Sequence, residues 1–196
     1  MATFPSVNID IEEYPSIKEY LLSFGIERLE QTGKRYIINK QEVKARKKTN
    51  NKWFETQDSI SYWEEFNKQK IVYANMTEYF PFYLDNKKFM TNQKCFIITG
   101  DKLYFLTAFL NSKLFRFCFS NNFPTLGEKG RELSKIFFIK IPVLLPTNEI
   151  EFIFKEEFSH IAQLKNITDS DIKKIDTMIF DIYKLSTEEI NYIESI

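Results

Sequence analysis

Five basic side chains crowd into nine residues: Lys44, Arg46, Lys47, Lys48 and Lys52. Lys and Arg strung along a short segment suit one chemistry well, neutralising the phosphates of duplex DNA with release of counterions. From Gly33 to Lys52 there are eight Lys or Arg against a single acid, Glu42. A solvated charge run is the other reading of such a stretch.

Two further groups fit the same chemistry. Asn75, Thr77 and Tyr79 lie between apolar runs, and Lys87 and Lys88 follow in an Asp-Asn-Lys-Lys turn. Asn and Gln can make paired hydrogen bonds to adenine, and Lys or Arg to guanine, so these five are candidates for reading base edges. Ordinary turn chemistry is the alternative. Lys129, Arg131 and Lys135 flank Gly130 and follow Gly127, where small residues let backbone approach a phosphate. A solvent-exposed connector is the alternative there.

Catalytic patterns are missing. None of the six prolines follows Asn or Asp, so there is no Asn/Asp-Pro-Pro-aromatic turn to grip a base amino group. No two of the five glycines are spaced Gly-x-Gly, and there is no P-loop. Asp171-Ile172-Lys173 offers half of a metal-nuclease signature, a pattern that chance supplies on many helices. His160, the single histidine, has no paired carboxylate pattern and reads as a surface or interface residue. Cys95 and Cys118 sit in apolar runs and read as buried thiols of a reducing compartment, not as zinc ligands. No catalytic residue, metal site or cofactor site is therefore assigned to the chain.

The elements that must position these residues come from a chain of 196 residues with 43% hydrophobic content, including 20 Phe and 10 Tyr, ample for a core. Net charge is zero, but the segment from Thr147 to Ile196 holds five Lys against eleven acids, so the chain has a basic region and an acidic end. No apolar run reaches the ~18 residues of a membrane span, and a cytoplasmic location is expected.

Periodicity predicts a helix over 14–31, a long loop over 32–51 and a short helix from Asp58 to Phe66. Strands are predicted over 70–74, 80–84, 89–90, 94–99 and 136–141, with 85–88 as a hairpin turn. A helix is predicted from Gly100 to about Phe119, then a loop over 121–130. Helices over 149–165 and 169–183 follow, and Ser186 with Glu189 makes a capping box for a last one. The sum is a mixed α/β (α+β) fold, a central mixed or antiparallel sheet with flanking helices. A break near Pro146 is expected to divide residues 1–146, the mixed α/β part, from residues 147–196, a separate helical layer.

Several stretches together carry a family resemblance. They are Ala2-Thr3-Phe4-Pro5-Ser6 with Tyr14-Pro15-Ser16-Ile17-Lys18-Glu19-Tyr20-Leu21, the basic run with Trp53-Phe54-Glu55-Thr56-Gln57, Tyr62-Trp63-Glu64-Glu65-Phe66 leading into Lys70-Ile71-Val72-Tyr73, and Thr91-Asn92-Gln93-Lys94-Cys95-Phe96. Asn111-Ser112-Lys113-Leu114-Phe115, Arg131-Glu132-Leu133-Ser134-Lys135, Lys140-Ile141-Pro142 and Leu185-Ser186-Thr187-Glu188-Glu189-Ile190 complete the set. In this order the chain resembles the TaqI-like C-terminal specificity domain of single-chain type IIG restriction-modification enzymes of the Eco57I kind. The resemblance implies that residues 1–146 form a target recognition domain, a reader of double-stranded DNA itself without activity, and that residues 147–196 pack on it or on the rest of a parent enzyme. That parent would carry a nuclease and an N6-adenine methyltransferase, using Mg2+ and S-adenosylmethionine. Met1 would then mark a cut within a longer protein or a naturally shortened gene. A half-length subunit serving a separate methyltransferase in trans is the alternative; a stand-alone nuclease or methyltransferase is disfavoured by the missing motifs.

Overall fold

Proline pre-sets φ for a first helical turn, and in the computed structural model Pro15 opens α1 (Pro15–Leu22). The structure describes residues 3–58, 61–77, 82–92, 94–126, 130–161 and 168–195. Gly25, at φ 87°, breaks the helix expected over 14–31 and starts a separate turn, α2 (Ile26–Leu29). The expected loop over 32–51 is in large part a hairpin, β1 (Arg35–Ile38) and β2 (Gln41–Lys44), paired antiparallel with Ile38 opposite Gln41. Asn39 and Lys40 both take left-handed φ, 50° and 63°, as a tight two-residue hairpin turn of that twist requires. Two compact units, Met1–Trp63 and Glu64–Ile196, make up the chain.

The second unit begins in the 3-10 turn Trp63–Asn67, where a helix from Asp58 was expected; Ser59 and Ile60 lie outside the described residues. Then come β3 (Lys70–Ala74), β4 (Met76–Thr77), β5 (Tyr83–Asp85) and β6 (Cys95–Ile98). β-branched and aromatic side chains at Ile71, Val72 and Tyr73 suit the centre of the antiparallel sheet β5–β3–β6. The residues 85–88 do not link two paired strands as expected, since β5 pairs with β3 and Phe89-Met90 forms no strand. Phe80 and Pro81 lie outside the described residues.

α3 (Leu103–Asn111) and α4 (Lys113–Asn122) replace the single helix expected from Gly100. Ser112 turns extended between them, and its hydroxyl accepts from the Phe115 N–H as an N-cap. Phe105, Phe109 and Phe115 are almost wholly buried, and the Phe115 ring lies within 6.2 Å of the Phe82, Phe109, Phe119, Phe123 and Phe138 rings. β7 (Thr125–Leu126) and β8 (Gly130–Glu132) occupy the ends of the loop expected over 121–130, and they form with β4 a second antiparallel sheet, β4–β8–β7.

The strand expected over 136–141 is instead a helical turn, α5 (Lys135–Phe138). A short apolar run fits either structure, and here Ile136 and Ile139 point to solvent while Leu133 and Ile141 are buried. α6 (Asn148–Ile161), α7 (Asp169–Tyr183) and α8 (Thr187–Glu194) follow, the last two opened by capping boxes at Thr168/Asp171 and Ser186/Glu189. Acidic side chains of the tail also cap the other helix pair. Glu151 accepts from the Tyr104 and Phe105 N–H groups at 3.1 and 2.9 Å, and Asp176 from the Lys113 N–H at 2.8 Å. Each carboxylate satisfies orphan donors at a helix N-terminus, where negative charge is favoured. The result is the mixed α/β fold that was expected, built on small antiparallel sheets.

One buried ion pair ties the first sheet together. Lys70 Nζ donates to Asp85 Oδ2 at 2.5 Å and to the Phe66 carbonyl at 2.8 Å, with both side chains fully buried. Asp85 also accepts from the Lys87 and Phe89 N–H groups at 2.7 and 2.8 Å. Burial alone would raise the Asp85 pKa, but these hydrogen bonds and the lysine charge outweigh it and hold it below the ordinary 3.8. A depressed folded pKa makes this contribution complete above the ordinary value and lost as pH falls through the folded one. Asp85→Asn, which strands a buried ammonium, is expected to lose about 3–5 kcal/mol in denaturant unfolding at neutral pH. It should also lose this part of the acid dependence. A loss under about 1 kcal/mol, the scale of an ordinary substitution, would contradict the role given to the pair.

Candidate nucleic-acid interface

Cationic side chains serve DNA best when the backbone beneath them is fixed and their heads are free. The loop after β2 meets both conditions. Buried Gln31 donates from Nε2 to the carbonyls of Lys52 and Glu55 at 3.0 and 2.9 Å, and its Oε1 accepts from the Thr49 hydroxyl at 2.7 Å. The Thr49 N–H bonds the Gln31 carbonyl, and the buried Glu55 carboxylate accepts from the Lys52 N–H at 2.7 Å. Asn51 Nδ2 closes the far side on the Thr56 carbonyl at 2.8 Å.

Arg46 belongs to this scaffold. Its Nε donates to the Leu29 carbonyl at 2.7 Å, Nη1 to the Glu55 carbonyl at 2.9 Å, and Nη2 to the Trp53 carbonyl. Burial pushes its pKa down from the ordinary arginine value, and the guanidinium remains a cation held on carbonyl oxygens. Lys44, Lys47, Lys48 and Lys52 are exposed, and none forms an ion pair among the described residues. Lys52 Nζ lies 5.5 Å over the Phe54 ring, a cation–π contact that orients it. Of the five basic residues, four lysine heads face solvent and one arginine holds the loop.

The base-reading candidates divide. Lys87 and Lys88 are exposed on the turn that Asp85 grips, with Lys88 at φ 59°. That turn follows the residue paired with Lys70, at the start of β3. Asn75 and Thr77 follow the other end of β3. At a rise of ~3.3 Å per residue the two groups are separated by roughly 16 Å along the strand. Asn75 and Thr77 instead join β8: Thr77 pairs with Arg131 and Met76 with Glu132, while Thr125 of β7 pairs with Arg131 on its other side. Lys135 is exposed on α5. Tyr79 and Lys129 lie outside the described residues.

The remaining chemical candidates have structural explanations. Asp171 is the reciprocal partner of Thr168 in the α7 capping box, whose hydrogen bonds hold its pKa below the usual range. His160 is exposed in the last turn of α6. Among the described residues, no three His, Cys, Asp or Glu gather to hold a metal.

A family model, that of the TaqI-like C-terminal specificity domain, matches residues 16–143. The chain belongs to that family. No curated protein matches it. The match identifies a DNA sequence-specificity module of a restriction-modification enzyme. Every candidate contact residue of this specificity domain, from Lys44 to Lys135, falls inside the matched range, and α6 to α8 fall outside it.

Gln31, Glu55 and Asp85 escaped the sequence reading as supports of the candidate residues. Their signal, a polar side chain within an otherwise foldable segment, becomes specific only when its burial is known. Arg46→Ala removes three hydrogen bonds to carbonyls and is expected to destabilise the first unit by on the order of 3 kcal/mol. Lys48→Ala should stay within about 0.5 kcal/mol of the parent. Amide exchange at Gly33, Arg46 and Thr49 checks this; equal exchange in the two variants would show that Arg46 does not hold the loop.

Proposed function

We propose that this chain reads a target sequence in double-stranded DNA for an enzyme whose other domains methylate adenine at N6 and cut the DNA. S-adenosylmethionine and Mg2+ serve those domains in this reading, and the type IIG arrangement is the architecture proposed. The observation that carries it is the clamped loop in which Lys44, Lys47, Lys48 and Lys52 are exposed and form no ion pair among the described residues. Some lysines elsewhere find carboxylates, Lys18 with Glu12, Lys68 with Glu65, Lys113 with Glu194 and Lys174 with Glu157, while others such as Lys34, Lys94 and Lys155 form no ion pair among the described residues, so it is the crowding of four unpaired lysines on one clamped loop that supports the reading. A fixed backbone with unneutralised cations is what phosphate contact rewards, and phosphate contacts set register without specifying sequence.

Lys135 joins the phosphate set in this reading, with Lys129 as its expected neighbour. Lys87, Lys88, Asn75 and Thr77 supply groups that can reach base edges. The acidic helices α6 to α8 support the helices beneath the sheet and add no phosphate contacts.

Salt dependence gives the test. Each lysine on a phosphate contributes about 0.9 to the slope of log K against log salt. Changing Lys44, Lys47 and Lys48 together to Ala is expected to flatten that slope on duplex DNA by about 2 to 3. An unchanged slope would return the loop to a solvated charge run.

A further inference from the structure

Five side-chain nitrogen or oxygen atoms among the described residues are buried without a hydrogen-bond partner: Asn75 Oδ1, Arg131 Nε, Ser134 Oγ, Glu157 Oε1 and Asp176 Oδ2. The first three belong to one small region, the sheet β4–β8–β7 and the residues that continue it. The backbone of that region is well tied. The Asn75 N–H donates to the Lys94 carbonyl at 2.9 Å, and its carbonyl accepts from the Leu133 N–H at 2.8 Å. Leu133 is fully buried and anchors the strand end. Residues opposite each other in an antiparallel pair put their side chains on one face, so Thr77 and Arg131 share a face, with Thr125 beside them.

On this fixed backbone the Arg131 guanidinium is underused among the described residues. Arg131 carries five N–H donors. Its one hydrogen bond among the described residues is from Nη1 to the adjacent Gly130 carbonyl, at 3.1 Å. Leaving a buried guanidinium nitrogen and a buried amide oxygen unpaired costs folding free energy, so the three atoms mark a polar cluster that contacts among the described residues leave incomplete. Arg46 shows the contrast, since three of its five N–H donors are taken up by carbonyls, one from each guanidinium nitrogen.

We infer that Arg131 is a base-reading residue, matched through its guanidinium to the two acceptors of a guanine in the major groove. This rests on the reading of the chain as a DNA-sequence module, and it moves Arg131 out of the phosphate set in which the sequence places it. The forked guanidinium fits guanine O6 and N7. A phosphate contact calls for a mobile, exposed cation such as Lys47 or Lys48. A strand-borne arginine with a buried Nε is held in one direction, as reading a base edge demands.

The test is selection of duplexes from a pool with a randomised segment, using the whole 196-residue chain and its variants. The parent chain is expected to enrich a motif containing a guanine. Arg131→Met should lose preference at that one base pair by roughly ten- to hundredfold, the discrimination of one bidentate contact, and keep the rest of the motif and the salt slope. Arg131→Lys, which keeps the charge without the fork, carries the same expectation and covers any failure of the Met variant to fold. The melting temperature of Arg131→Met without DNA should be unchanged or raised.

Uniform weakening on all duplexes, with a slope smaller by about 0.9, would make Arg131 a phosphate contact and overturn the inference. A lowered melting temperature with an unaltered motif would make it structural and overturn the inference too. A parent chain that binds no duplex would refute the DNA-reading function and the inference with it, and that result shows in the parent arm alone.

Discussion

The second unit depends on the ion pair between Lys70 and Asp85. Two opposite charges in a fully buried setting are costly to desolvate and hold only when their remaining hydrogen-bonding capacity is used. Here the Phe66 carbonyl takes a second lysine proton, and the Lys87 and Phe89 N–H groups fill the carboxylate. The pair therefore joins a 3-10 turn, the first residue of β3, the last residue of β5 and the following turn at one point. A sheet fixed at that end can present groups at its other end in a defined direction. Asn75, between β3 and β4, inherits that rigidity through its bonds to Lys94 and Leu133.

Beyond the surface ion pairs, positive charge does three different jobs among the described residues, and burial separates them. Lys70 is a buried strut and Arg46 a clamp on carbonyls, whereas Lys44, Lys47 and Lys48 carry heads that meet only solvent. Acidic groups divide in the same way. Glu151 and Asp176 end on helix N-termini, so part of the tail's negative charge is spent inside the fold. Zero net charge is thus compatible with an anion-binding region, because the acids and the free lysines occupy different segments.

Local signals were legible. β3, the Ser186/Glu189 box and the helices of the tail follow from residues within a few positions of each other. The hairpin over 35–44 carries no local mark, because Asn39-Lys40 makes its left-handed turn without the glycine that normally signals one. The Ile-Phe-Phe-Ile run of α5 suits strand or helix alike, and only its packing decides. Long-range pairing was illegible. Nothing local to Thr77 announces Arg131 as its partner, or local to Lys70 announces Asp85. The candidate residues were found by type, therefore, while their grouping, which separates Lys87 and Lys88 from Asn75 and Thr77, needed the fold.

The central claim is that a fixed sheet reads bases while a clamped lysine loop holds phosphates. Amide hydrogen exchange tests it most directly, measured on the chain alone, with a duplex selected by it, and with an unrelated duplex of equal length. The account predicts slowed exchange in residues 44–52 with both duplexes, and in residues 75–77 and 130–134 with the selected duplex alone. Equal protection of 75–77 and 130–134 by both duplexes, or by neither, would contradict it.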